Sequence, residues 1–185
     1  MKAGNIRKGD YIRHKGQPFL VMETEFSFHG RGSAHMKAKI KSLDGRSTQS
    51  VTFKTGDSIE DLDVSSIEMQ FLYMDGDEVV FMNPRSYEQS AVPIGLLDGK
   101  EKMLTPEAKV YVQFFEEKSV GVNLPPKVKL KVTDAPEATA GNRSKAAKRD
   151  VVMETGLVVP APLFVKTGDT LIVDTESGQY VSRGN

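Results

Sequence analysis

Residues 36–41 read Met-Lys-Ala-Lys-Ile-Lys, and this strict alternation constrains the fold more than any other stretch. A period of two puts Met36, Ala38 and Ile40 on one face of a strand and Lys37, Lys39 and Lys41 on the other. The same period returns at Ser50-Val-Thr-Phe, at Val110, Val112 and Phe114, and at Val128, Leu130 and Val132 with Lys129, Lys131 and Thr133 between them. Long helical periodicity is missing from the sequence. Short half-buried strands punctuated by turn residues fold as small barrels, so an all-β chain is predicted.

At 185 residues, the density of turn signals favours several small domains over one large one. Residues 1–64 predict an SH3-like barrel. Its turns fall at Lys8-Gly-Asp, Lys15-Gly-Gln-Pro and Asp44-Gly45, its strands include Tyr11-Ile12 and Phe19-Leu-Val-Met, and Asp57 to Asp63 reads as an acidic link. Residues 65–127 predict a second barrel, with strands on either side of Asp75-Gly76 and another over Ala108–Phe115. The stretch from Pro84 to Leu104 reads as turns with at most one helical turn. Pro125 and Pro126 cannot both sit in a central strand and mark the boundary with residues 128–185. In that last third, Ala135 to Asp150 reads as a polar loop, and strands resume at Met153.

Between Phe19–Met22 and the alternating stretch lies Phe26-Ser-Phe-His-Gly-Arg-Gly-Ser-Ala-His. Two strands joined by a Gly-containing loop make a hairpin, and Gly30 and Gly32 flank a single cation at its tip, Arg31. At roughly 3.3 Å per residue, about four residues on each side carry the tip on the order of 10 Å beyond the sheet. A guanidinium presents five donors in a planar fork that matches phosphate. Lys37, Lys39 and Lys41 line one face of the returning strand. Phe28 and His29 are candidates for stacking on a base, whereas Phe26 is expected to pack on its own barrel. Lys145, Lys148 and Arg149 in the polar loop add candidate phosphate contacts. The plainer alternative for Gly-Arg-Gly is an ordinary polar turn, and for the cations a solvated face.

Net charge is zero, from 25 basic and 25 acidic residues. Residues 1–64 hold 11 Lys/Arg against 8 Asp/Glu, residues 65–127 hold 6 against 10, and residues 128–185 hold 8 against 7. A basic first third on a neutral body suits local contact with nucleic acid, not wrapping along a duplex. The absence of cysteine excludes disulfide and thiol chemistry and fits a reducing cytoplasm. No apolar run approaches the ~20 residues of a membrane span, so a soluble cytoplasmic protein without membrane contact is expected. His14, His29 and His35 lack metal-ligand spacing and are expected at the surface. Glu23 and Glu25 share a strand face but do not form an acid–base pair, and neither a phosphate-binding loop nor a nucleophile elbow is found. The expectation is a binding factor that acts by positioning, with no catalytic residue, metal or cofactor. The alternative of a generic single-strand RNA-binding barrel would need many exposed aromatics, and the sequence suggests few.

In the last third, Glu154-Thr-Gly, Pro162-Leu-Phe-Val, Gly168-Asp, Val173-Asp-Thr and Gly178-Gln-Tyr-Val-Ser-Arg form a long ordered pattern. With Phe53-Lys-Thr-Gly-Asp, Phe71-Leu-Tyr-Met-Asp-Gly and Phe81-Met-Asn, the chain resembles the bacterial translation elongation factor P family over its whole length. The resemblance implies an SH3/KOW-like barrel (1–64) followed by two OB-fold barrels (65–127 and 128–185) in an L-shaped, tRNA-like arrangement. It implies a monomer that binds the ribosome across both subunits, beside the peptidyl-tRNA, and relieves stalling at consecutive prolines. It makes Phe28, His29, Gly30, Gly32, Lys37, Lys39, Lys41, Lys145 and Arg149 candidate contacts to tRNA or ribosomal RNA, with Arg31 as the functional tip. Many members carry a modified lysine at the tip, and one subgroup carries a rhamnosylarginine made by an arginine-modifying glycosyltransferase. His29 stands where the family commonly has proline, and Gly32 where the rhamnosylated subgroup commonly has asparagine. Arg149-Asp-Val-Val-Met stands in place of the usual Lys-Pro-Ala-Thr-Leu. An arginine tip also occurs in an elongation-factor-P-like paralogue, which stays open as an alternative.

Overall fold

A computed structural model describes residues 1–28, 34–45, 47–106, 108–136 and 148–184. These residues are almost entirely strand and turn. In chain order the strands are β1 (Tyr11–His14), β2 (Gln17–Ser27), β3 (His35–Ser42), β4 (Thr48–Lys54), β5 (Glu60–Asp61), β6 (Ser65–Asp75), β7 (Glu78–Met82) and β8 (Gln89–Pro93). They continue as β9 (Lys109–Phe115), β10 (Lys118–Asn123), β11 (Lys127–Asp134), β12 (Lys148–Met153), β13 (Val158–Pro162), β14 (Thr170–Asp174) and β15 (Tyr180–Gly184). Three five-stranded sheets result, ordered β4-β3-β2-β1-β5, β10-β9-β6-β7-β8 and β13-β12-β11-β14-β15. The chain is therefore all-β. Residues 1–67 with 112–121 form one compact unit, and residues 68–111 with 122–185 form the other.

The first sheet closes over Ile6, Ile12, Phe19, Val21, Ala38, Ile40 and Phe53. β3 shows the predicted alternation, with Met36, Ala38 and Ile40 buried and Lys37 and Lys39 exposed. Its apolar face stabilises the sheet by about 1.5–3 kcal/mol for each large side chain buried. β2 does not keep a single alternation along its 11 residues. Val21 pairs with Ile40 and Glu23 with Lys39, so Met22 is the extra residue of a bulge. A one-residue slip exchanges the faces of every later side chain. The bulge therefore turns Glu23 and Glu25 outward to the lysine face and Thr24 and Phe26 to the face of Ala38 and Met36.

The third sheet depends on one bent strand. Residues Lys127 to Lys131 of β11 pair with β14, and Val132 and Asp134 pair with β12. That switch of partner curls the sheet around Leu130, Val132, Val151, Met153, Val159, Leu171 and Val173. Pro160 and Pro162 lie in β13, an edge strand, where a missing donor costs no ladder bond.

Several expectations are corrected here. The acidic stretch Asp57–Asp63 is not a free link, because β5 pairs with β1 through Ile12–Asp61 and Arg13–Glu60. Arg13 Nε donates to Glu60 Oε1 at 2.9 Å and anchors that edge. The stretch 84–104 holds a full strand, β8, and two 3-10 turns, Ile94–Leu97 and Glu101–Met103, that bury Leu97 and Met103. The strand expected from Met153 already starts at Lys148, so Arg149 lies in β12 and not in a loop. His14 is half-buried and not fully exposed. Its ring stands edge-on to Phe53 at 5.5 Å and Phe19 at 6.2 Å, and burial, with help from the charge of Lys15, lowers its pKa.

Candidate nucleic-acid interface

β2 and β3 pair without a break from Glu23–Lys39 to Ser27–His35, and β4 runs beside β3 to the same level, through Met36–Phe53 and His35–Lys54. The Thr55 N–H then donates to Ala34 O at 3.1 Å. The paired part of the hairpin is thus braced by a third strand along its whole length. His29, Gly30, Arg31, Gly32 and Ser33 lie outside the described residues, as does Lys145, so the tip and its reach do too.

Opposed residues of an antiparallel pair share a face. The outer face at this end of the sheet therefore carries His35, Lys37, Lys39 and Lys54 beside Glu23 and Glu25. Lys39 Nζ is 3.4 Å from Glu23 Oε1, both well exposed, so one of the three lysine charges is already answered at the surface. Lys37 and Lys54 have no ion-pair partner among the described residues. Lys41 lies further from the tip, opposite Leu20 and Thr48. Lys54 is the residue that sequence reasoning missed. Its signal was present in Ser50-Val-Thr-Phe, since a period of two that buries Phe53 must turn Lys54 outward.

On the other face the expectation for Phe26 is overturned. The ring is 60 % exposed, although its pairing partner Met36 is buried. Phe28, the last described residue before the tip, is 65 % exposed. Tyr73, Tyr87, Tyr111 and Phe164 are also well exposed, so the expectation of few exposed aromatics fails. Phe26, in β2, and Phe28, just beyond its end, both leave apolar rings exposed on the segment that precedes Gly30-Arg31-Gly32 in sequence.

Arg149 is committed to the fold of the third sheet. Its Nη1 donates to Pro136 O at 2.7 Å and its Nη2 to Val165 O, while Nε is buried without a partner among the described residues. It is less available for phosphate than its place in a loop suggested. Among the described residues no three His, Asp or Glu side chains converge as a metal-binding group. Among the same residues no helix is long and apolar enough to cross a membrane.

Comparison with known proteins gives three matches in series. The family description "Elongation factor P (EF-P) KOW-like domain" matches residues 2–59, "Elongation factor P (EF-P) OB domain" residues 64–122, and "Elongation factor P, C-terminal" residues 128–183. The protein named Elongation factor P of Mycoplasma mobile is 34 % identical over 100 % of this chain and 98 % of its own. That of Treponema pallidum subsp. pallidum is 36 % identical over 100 % and 99 %. Among solved structures, a translation initiation factor 5A from Methanococcus jannaschii aligns at 22 % identity with a TM-score of 0.46, covering 66 % of this chain and 94 % of that one.

Proposed function

The chain belongs to the elongation factor P family of translation elongation factors, and on that premise we propose that it binds the ribosome beside the peptidyl-tRNA and speeds peptide bond formation at consecutive prolines. The observation that carries this reading is the end of the first sheet. Lys37 and Lys54 face outward and make no ion pair among the described residues, on β3 and β4 beside the strand that precedes Gly30-Arg31-Gly32 in sequence. Phe26 in β2 and Phe28 just after it stand exposed. Phosphate-seeking cations on one face and stacking surfaces on the other suit an RNA strand passing the tip.

The chemistry needs no catalytic group from this chain. Proline is a poor nucleophile, and its ring restrains the peptidyl chain, so a Pro-Pro step is slow. Holding the acceptor end of the tRNA in reactive geometry is worth several kcal/mol, with each ~1.4 kcal/mol giving tenfold in rate. In this reading Arg31 contacts RNA near the acceptor end, bare or carrying a sugar added by an arginine-modifying glycosyltransferase. The protein works in the cytoplasm as a monomer, without a cofactor. The test is triple-proline peptide synthesis on purified ribosomes with protein from its native cells. Wild type should accelerate it and leave a proline-free control unchanged. Arg31→Ala should lose the acceleration with its unfolding curve intact, because this reading gives Arg31 an RNA contact and no part in the core. Full activity of Arg31→Ala, or its unfolding, would sink the assignment.

The exposed aromatics favour a second reading, a general single-strand RNA binder. It requires tight, strongly salt-dependent binding to naked oligonucleotides. Weak oligonucleotide binding beside firm ribosome association excludes it. The elongation-factor-P-like paralogue stays open and is separated by the proline dependence itself.

A further inference from the structure

The turn between β7 and β8 holds a conformation that folding alone does not reward. Tyr87 sits at φ +61°, in the left-handed region that bulky residues rarely occupy. Its ring is 73 % exposed, the highest value for a large apolar residue among the described residues, so little burial offsets that strain. The turn is nonetheless tightly fixed. Tyr87 N–H donates to Asn83 O at 2.8 Å and Asn83 N–H to Glu88 O at 2.9 Å. Asn83 Oδ1 accepts the Arg85 N–H at 2.9 Å, and Ser86 Oγ donates to Glu88 Oε2 at 2.9 Å. Arg85, two residues before the ring, is exposed, and its guanidinium has no partner among the described residues. One hydrogen-bonded turn thus presents an exposed ring and, two residues before it, an exposed planar cation.

A ring of this kind stacks on a base, and the guanidinium fork fits the adjoining phosphate. A protein partner would seat the ring in an apolar surround, as buried contact centres do. Here residues 84–89 are all exposed, and apart from Pro84 and the ring itself they are polar. The surrounding segment 65–127 is acidic, 10 Asp/Glu against 6 Lys/Arg, which disfavours a long run of phosphates and leaves room for one.

We propose that Tyr87 and Arg85 dock a single unpaired nucleotide of a structured RNA, with the ring stacked on the base and the guanidinium on its phosphate. This second contact point rests on the reading of the chain as a ribosome-bound factor. Tyr87→Gly removes the ring and suits the positive φ, so the variant should fold at least as stably as wild type. Binding to purified ribosomes should weaken about tenfold in Tyr87→Gly, the scale of one stacked base, and stay unchanged in Tyr87→Phe. Arg85→Ala should reduce the slope of log affinity against log salt by about one. A photoreactive benzoylphenylalanine in place of Tyr87 identifies the partner. An adduct with ribosomal RNA or with tRNA supports the proposal and names the source. An adduct with protein only, no adduct, or Tyr87→Gly binding like wild type overturns it. If wild type binds while Tyr87→Gly is indifferent, only this inference falls; if wild type does not bind ribosomes, the proposed function falls with it.

Discussion

Single side chains in this protein are decided by what lies across from them. Gly121 shows it most sharply. A Cβ there would stand 2.6 Å from Tyr11 Oη and 3.2 Å from Gln113 Oε1, with no room to spare. Gln113 is itself buried, with that oxygen unpaired among the described residues. Gly121→Ala should therefore destabilise by about 1–3 kcal/mol, the usual range for an overpacked core. Adding Tyr11→Phe should restore much of the loss by removing the clashing oxygen. Urea titrations of the two single variants and the double variant give the coupling directly, and strict additivity would show the contact is not the cause. Tyr11 has a second signature. Burial pushes its pKa up to about 12 from 10.0, so its hydroxyl stays neutral in the fold while the unfolded chain ionises. A group with a raised folded pKa gives stability that is complete below its unfolded value and lost as pH rises through the folded one. The stability of wild type should thus decline between pH 10 and about 12, and Tyr11→Phe should remove that component of the decline.

At the scale of elements, one local device recurs three times. Arg7-Lys-Gly-Asp, Lys54-Thr-Gly-Asp and Lys166-Thr-Gly-Asp each form a turn in which the Asp N–H donates to the carbonyl three residues back, at 3.2, 2.9 and 3.1 Å. In each, the Asp carboxylate accepts the N–H of that same first residue, at 2.8, 3.1 and 2.9 Å. Gly9 and Gly168 occupy positive φ in two of them, where a side chain would strain the backbone. This pattern was legible in the sequence as a recurring cation-x-Gly-Asp, although no fixed repeat period announces it. The carboxylate of Asp169 is held below its ordinary pKa first by the Lys166 N–H and then by Arg183, whose Nη2 lies 2.8 Å away. Asp174 is lowered too, by the N–H and hydroxyl of Ser177. Depressed carboxylates contribute stability above their unfolded pKa and lose it as pH falls through the folded value. The third sheet should accordingly weaken below about pH 4, where unfolded carboxylates begin to protonate. Asp169→Asn should flatten that acid limb in a Tm-against-pH series, and an unchanged limb would remove the turn from the account.

Across the whole molecule, charge is distributed by use and not by count. The net charge of zero says nothing about the first sheet, whose outer face carries Lys37 and Lys54 near the tip and a matched Glu23–Lys39 pair further back. If this face meets RNA phosphate, Lys37→Ala and Lys54→Ala should each lower the salt slope of ribosome association by about one. Lys39→Ala should lower it less, because its ammonium already answers a carboxylate. Equal slopes for all three variants would mean that the outer face is not the contact.

What the sequence settled by itself was local. A period of two within one strand identifies the apolar face of β3, of β11 and of the end of β4 without reference to any partner, and an i to i+3 turn is written in four consecutive residues. The ordered C-terminal motifs carried the family for the same reason, since much of their content is turn chemistry around Asp169 and Asp174. Tertiary structure decided everything that depends on register. The bulge at Met22 exchanges the faces of β2, so Glu23 meets Lys39 and Phe26 falls on the inner face yet stays uncovered. β5 joins the first sheet only because β1 offers an open edge, and Arg149 is spent on carbonyls that lie 13 and 16 residues away in sequence. A strand's faces follow from its own residues, but its neighbour depends on pairing across distant chain, and a single extra residue is enough to change it.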